Sequence, residues 1–109
     1  GLSHTSRTAT EEIFGPVVTL HVFHDDDEAV MMANATEYGL AGSVWCEDGE
    51  RGHAFAQRLD TGIVWVNTWL NRDLRTPFGG VKQSGVGREG GAWSLNFFSE
   101  VTNICVQDP

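Results

Sequence analysis

Four sets of residues in this 109-residue chain have the types and spacing for chemistry. Gly85-Val86-Gly87-Arg88-Glu89-Gly90 matches G-x-G-x-x-G letter for letter, the spacing that lets a backbone approach a pyrophosphate. That chemistry needs a buried strand before the glycines and a helix after them, inside a βαβ unit. Here a polar run, Lys82-Gln83-Ser84, precedes them and little chain follows, so the match is set aside. Gly79-Gly80-Val81-Lys82 looks like half a phosphate loop, but Gln83 stands where a Ser or Thr would hold magnesium. His21 and His24 adjoin Asp25, Asp26 and Asp27, a metal-like grouping. On a strand, residues three apart point to opposite faces, and no further ligand cluster lies near. They read as exposed polar residues at a strand end. Cys46 and Cys105 have no neighbouring base to raise a thiolate and read as small, buried apolar side chains.

The elements that would position these residues alternate. Val17 to Phe23 is rich in β-branched residues and predicts a strand. Asp25 then offers an N-cap, with Glu28 three residues later as the second half of a capping box. The acidic run Asp25 to Glu28 suits the positive end of the helix, Ala29, Val30, Met32 and Ala33 give it an apolar face, and Gly39 offers a stop. Leu40 to Cys46 is a second short apolar run. A helix at about Gly49 to Asp60 follows, then a third strand, Ile63 to Asn67. Strands alternating with helices of this length predict an α/β fold with a parallel βαβαβ sheet covered on both faces. Glycines crowd Pro77 to Gly91, which reads as loop, and Trp93 to Val106 reads as about one helical turn followed by a strand.

Composition narrows the function classes. Apolar residues make up 40%, with four Trp and six Phe, which is globular rather than disordered usage. A net charge of −8 argues against binding nucleic acid, which needs Lys and Arg against phosphate. No apolar run reaches the roughly 20 residues that span a bilayer, and no secretory leader pattern is present. Two distant cysteines build neither a disulfide framework nor a zinc site, so a reduced, cytoplasmic setting is the expectation. The chain opens on Gly1 without an initiator Met and reads as one domain's worth of a longer polypeptide.

Three segments in order carry a specific likeness: Glu11-Glu12-Ile13-Phe14-Gly15-Pro16, Gly62-Ile63-Val64-Trp65-Val66-Asn67, and Pro77-Phe78-Gly79-Gly80-Val81-Lys82-Gln83-Ser84-Gly85-Val86-Gly87-Arg88-Glu89. Together, and in their spacing, they resemble the aldehyde dehydrogenase superfamily. Tyr38 to Ala41 and Phe98 to Val106 extend the likeness over nearly all the chain after Thr10. The resemblance implies the C-terminal part of the catalytic domain over residues 1–98. Residues 99–109 are then a strand and tail that family members donate to a neighbouring subunit, as homodimers or homotetramers. It also implies a cysteine thiolate attacking the aldehyde, hydride passing to NAD or NADP, and water hydrolysing the thioester. The nucleophile, its general base and the cofactor domain lie upstream of the Glu-Ile-Phe-Gly-Pro segment in that family. The isolated chain is therefore expected to be inactive.

Residue by residue, the resemblance gives Glu12 as the acceptor of hydrogen bonds from the nicotinamide ribose, and Phe14 as the apolar wall beside the ring. Phe78 matches an aromatic lining the substrate channel, and Glu89 a glutamate on a proton or water path, with an ion pair to Arg88 as the structural reading. Trp65 and Asn67 read as architectural. The loop Trp69-Leu70-Asn71-Arg72-Asp73-Leu74-Arg75-Thr76 departs from family members with general substrates. It looks closest to the branch acting on 2-aminomuconate and 2-hydroxymuconate semialdehydes, compounds of aromatic catabolism with a carboxylate remote from the aldehyde. A guanidinium fork binds a carboxylate through two parallel hydrogen bonds. Arg72 is the expected anchor, with Arg75 second and Trp69 beside it, and a surface pair between Arg72 and Asp73 is the structural reading. Glu12 and Arg72 are expected to converge on one cleft. Two other readings stay open: a general or betaine-type aldehyde dehydrogenase, and a non-catalytic, truncated interaction module.

Overall fold

Asp25 caps a nine-residue helix with its own side chain, which accepts from the Glu28 N–H at 2.8 Å. The structure, a computed structural model, describes residues 1–109. A one-turn helix α1 (Arg7–Thr10) is followed by α2 (Asp26–Asn34), β1 (Tyr38–Gly39) and β2 (Ala41–Val44). Then come α3 (Gly49–Ala56), β3 (Ile63–Val66), β4 (Val81–Lys82) and α4 (Gly91–Phe98). β2 and β3 pair in parallel with α3 crossing between them, as the alternation predicts. β1 and β4 form a separate antiparallel pair, Tyr38 opposite Lys82 and Gly39 opposite Val81.

Local chemistry sets where the helices begin and end. Glu28 completes its capping box one residue further out than expected, accepting from the His24 N–H at 2.8 Å. α2 stops at Asn34, short of Gly39, because its end is taken up by other partners. The Lys82 ammonium donates to the carbonyls of Asn34 and Thr36, and the Asn34 side chain bonds the Arg58 carbonyl and the Asp60 N–H. A cation is well placed at a helix C-terminus. Asp48 caps α3 by accepting from the N–H groups of Glu50 and Arg51. That helix ends at Ala56 rather than Asp60. Arg51 reaches across to Asp26, tying α3 to the start of α2, and that guanidinium holds the Asp26 carboxyl below its ordinary range.

Two expected strands are missing. Val17 to Phe23 forms none, and its Val17, Val18, Leu20 and Val22 side chains are exposed. Ser99 to Val106 likewise has no strand; α4 runs to Phe98 and exposed chain follows. β-branched composition favours extended backbone, but a strand exists only when a partner takes its N–H and C=O groups. Neither segment meets one here. α4 is also longer than the single turn expected, with Gly90 at φ 100° as its N-cap.

The core is correspondingly small. Ala29 and Trp65 are the buried apolar side chains, Trp65 from the middle of β3. The radius of gyration is 18.9 Å, against about 13 Å for a compact domain of this length. Glycines are needed where backbones touch. A Cβ built on Gly62, just before β3, would lie 1.6 Å from the Gly79 carbonyl oxygen. Gly62→Ala is therefore expected to destabilise the fold by about 1–3 kcal/mol, the usual cost of overpacking. A lowered Tm of a full-length enzyme carrying the change checks this, and an unchanged Tm counts against the contact.

Candidate functional site

Trp65 begins the site, because its burial fixes the loop that follows β3. Its indole Nε1–H donates to the Asn71 carbonyl at 2.8 Å, and the Trp69 ring packs edge-on against it at 5.0 Å. Asn67, at φ 54°, donates to the Cys46 carbonyl and accepts from the Cys46 N–H. A side-chain amide thus continues the β2–β3 ladder by one step and points the chain into residues 68–76. Asp73 then nucleates a tight turn: its carbonyl accepts from the Thr76 N–H and hydroxyl, its carboxylate from the Arg75 N–H. Gly91 donates to the Leu74 carbonyl, fastening the loop to the start of α4.

That turn presents Arg72 to a second fixed element. Phe78 and Glu89 form an isolated antiparallel bridge, each N–H donating to the other's carbonyl at 2.8 and 2.7 Å. The Arg72 guanidinium carbon lies 3.9 Å from the centre of the Phe78 ring, and its Nη2 donates to Glu89 Oε1 at 2.5 Å. A planar cation over an aromatic face is favourable, more so as water is excluded. Asp73 pairs with Arg75 instead of Arg72, and Arg88 donates to the carbonyls of Gly80 and Gly87 rather than to Glu89. Arg75 holds the Asp73 carboxyl below its ordinary range, first through its guanidinium hydrogen bonds and then through its backbone N–H. With its fork on Asp73 and its side chain 87% exposed, Arg75 is less available than Arg72 for a ligand.

The Glu12–Phe14 segment sits apart. α1 ends in Glu11, whose carboxylate takes Arg7 at 2.8 Å and leaves Glu12 without that partner. Phe14 has φ 53° and is 91% exposed. A left-handed backbone at an aromatic residue is uncommon and concentrates at functional places. Glu12 and Phe14 share a shallow hollow of about 320 Å³ with Thr8, Ile13 and Val17. Phe78 and Glu89 line another, about 340 Å³, with the glycine turns, Phe97 and Phe98. The structure thus unites Arg72, Phe78 and Glu89 in one group and Glu12 with Phe14 in another, while Trp69 packs on Trp65 rather than on Arg72; neither hollow contains both Glu12 and Arg72. The largest hollow, about 570 Å³, lies elsewhere, between α2, β2 and α3. It is mostly apolar and holds His21, while His24 bonds Glu28.

A carboxylate acceptor beside an exposed aromatic suits a nicotinamide riboside: vicinal hydroxyls for Glu12, a ring for Phe14. The Arg72–Glu89 pair is what sequence spacing misses, since the partners are brought together by the Phe78–Glu89 bridge. Leu70 at φ 56°, two residues before Arg72, is a further strained position with no signal in the sequence.

Comparison with known proteins gives the same frame. The aldehyde dehydrogenase family matches residues 1–104. The 2-hydroxymuconic semialdehyde dehydrogenase of Pseudomonas putida is 52% identical over 107 residues, covering 98% of this chain and 22% of that protein. The 2-aminomuconic semialdehyde dehydrogenase of Homo sapiens is 48% identical over 98 residues, covering 90% of this chain and 20% of its own. The crystal structure of Mycobacterium tuberculosis aldehyde dehydrogenase complexed with NAD+ superposes with a TM-score of 0.85 at 39% identity, over 91% of this chain and 20% of that one. The chain spans about a fifth of the length of the relatives it matches.

Proposed function

The chain belongs to the aldehyde dehydrogenase family, and from that premise we propose that it serves an NAD(P)-dependent oxidation of a carboxylate-bearing muconic semialdehyde to the acid. Arg72 carries the reading: its guanidinium lies over the Phe78 ring and bonds Glu89 through one nitrogen, with the rest of its fork still able to take a carboxylate. The relatives named above act, by their names, on semialdehydes of this kind. Trp69 stiffens the loop and Phe78 walls the substrate's path.

Glu12 accepts the ribose hydroxyls and Phe14 flanks the nicotinamide. When bound, the dinucleotide supplies the hydride acceptor. Glu89 holds or relays a proton toward the water that ends the reaction. The thioester forms on a cysteine outside these residues, since neither Cys46 nor Cys105 stands at the position that the family resemblance gives the nucleophile, so the chain alone is inactive. Residues 1–98 then serve the catalytic domain. Ser99 to Val106, with its side chains exposed, pairs with a neighbouring subunit in a homodimer or homotetramer and becomes a strand there. No helix is long and apolar enough to cross a membrane. Two unpaired cysteines are the support for a cytoplasmic setting.

A full-length enzyme carrying this sequence tests the proposal against a panel of aldehydes. A ten-fold or larger preference in kcat/KM for an acid semialdehyde over its uncharged analogue is expected, which is about 1.4 kcal/mol of discrimination. A preference for betaine aldehyde or for uncharged aldehydes would replace it with the general reading.

A further inference from the structure

Resting on the reading of Arg72 as the carboxylate anchor, we propose that Glu89 is a positioning residue for substrate specificity: it aims the Arg72 fork. Arginine side chains have several rotatable bonds, and a loop arginine bound to nothing spends its binding energy on being ordered. Here three constraints remove that freedom. The centre of the Phe78 ring lies 3.9 Å from the guanidinium carbon, Glu89 Oε1 takes Nη2 at 2.5 Å, and two backbone bonds between Phe78 and Glu89 fix the spacing of the two supports. Glu89 uses one nitrogen of the fork. The other donors are free to meet a carboxylate arriving from the side away from Glu89. Glu89 also borders the hollow beneath Phe78, while Arg72 does not. It therefore acts on the substrate's far end through Arg72.

The test uses a full-length enzyme carrying this sequence, with an acid semialdehyde and an uncharged aldehyde as paired substrates. Glu89→Ala is expected to raise the ratio of the acid's KM to the uncharged aldehyde's KM about ten-fold, whatever kcat loss its proton role brings to both substrates alike. Glu89→Asp, one methylene shorter, keeps the charge and loses the reach, and is expected to raise the acid's KM in the same selective way. Glu89→Gln keeps an acceptor for Nη2 and is expected to restore the acid's KM. In the double variant Arg72→Ala/Glu89→Ala, KM for the acid is expected to match that of Arg72→Ala alone, because the two act as one unit. The proton role of Glu89 shows separately, as a kcat loss shared by both substrates, and leaves the KM ratio to report positioning. If Arg72→Ala is selective for the acid while neither Glu89→Ala nor Glu89→Asp is, the positioning role is overturned and the anchor stands. If Arg72→Ala is itself unselective, both fall.

Discussion

Arg72→Ala is expected to raise KM for an acid semialdehyde by about 30-fold or more while changing KM for an uncharged aldehyde by less than about two-fold. Truncating one side of a hydrogen-bonded charge pair costs on the order of 2–5 kcal/mol, and every 1.4 kcal/mol is ten-fold in affinity. The loss falls on KM because the carboxylate lies remote from the reacting carbon, so its anchor acts equally on bound substrate and transition state. Arg72→Lys keeps the charge without the planar fork or the stacking on Phe78, so an intermediate loss is expected. Stability should hardly move, since the Arg72–Glu89 pair is part-exposed, at 34% and 56%, and such pairs contribute little. Steady-state kinetics on the two substrates checks this; equal losses on both would show that Arg72 supports the loop and not the ligand.

Glu12→Ala is expected to cut kcat/KM for NAD about a hundred-fold or more. A carboxylate meeting two ribose hydroxyls makes two charge-assisted hydrogen bonds, each about 1.5–3 kcal/mol, and alanine makes neither. Glu12→Gln retains one acceptor oxygen and should recover roughly ten-fold of that loss. Because Glu11 and not Glu12 holds Arg7, no internal ion pair is lost, and folding should be unaffected. Calorimetric titration with NAD gives a second readout independent of turnover. Unchanged NAD binding in Glu12→Ala, with a changed aldehyde KM, would reassign Glu12 to the substrate side.

Much of this was legible in the residues. Asp25 as a cap, the parallel strands either side of α3, and the β3 run all follow from local preference, because each is completed by contacts within a few residues or one crossover. Val17 to Phe23 and Ser99 to Val106 were read as strands from composition alone, and composition says nothing about whether a partner is at hand. The pairing of ions was the least legible. Asp73 and Arg88 are nearer in sequence to Arg72 and Glu89 than those two are to each other, yet Asp73 turns back on Arg75 and Arg88 is taken by backbone carbonyls. Only the Phe78–Glu89 bridge, a long-range feature, puts Arg72 beside Glu89.

That bridge has an evolutionary corollary. Its two bonds pinch residues 79–88 into a closed loop, and that loop is clamped at its far end too, by the β1–β4 pairing and by Lys82 on the end of α2. The glycine-rich tip is thereby held at both ends, and an insertion in it would have to break one clamp or the other. Residues 69–76 lie outside that double clamp, so substitutions there leave its gauge intact, and variation between related chains is expected to collect in that loop rather than in the tip.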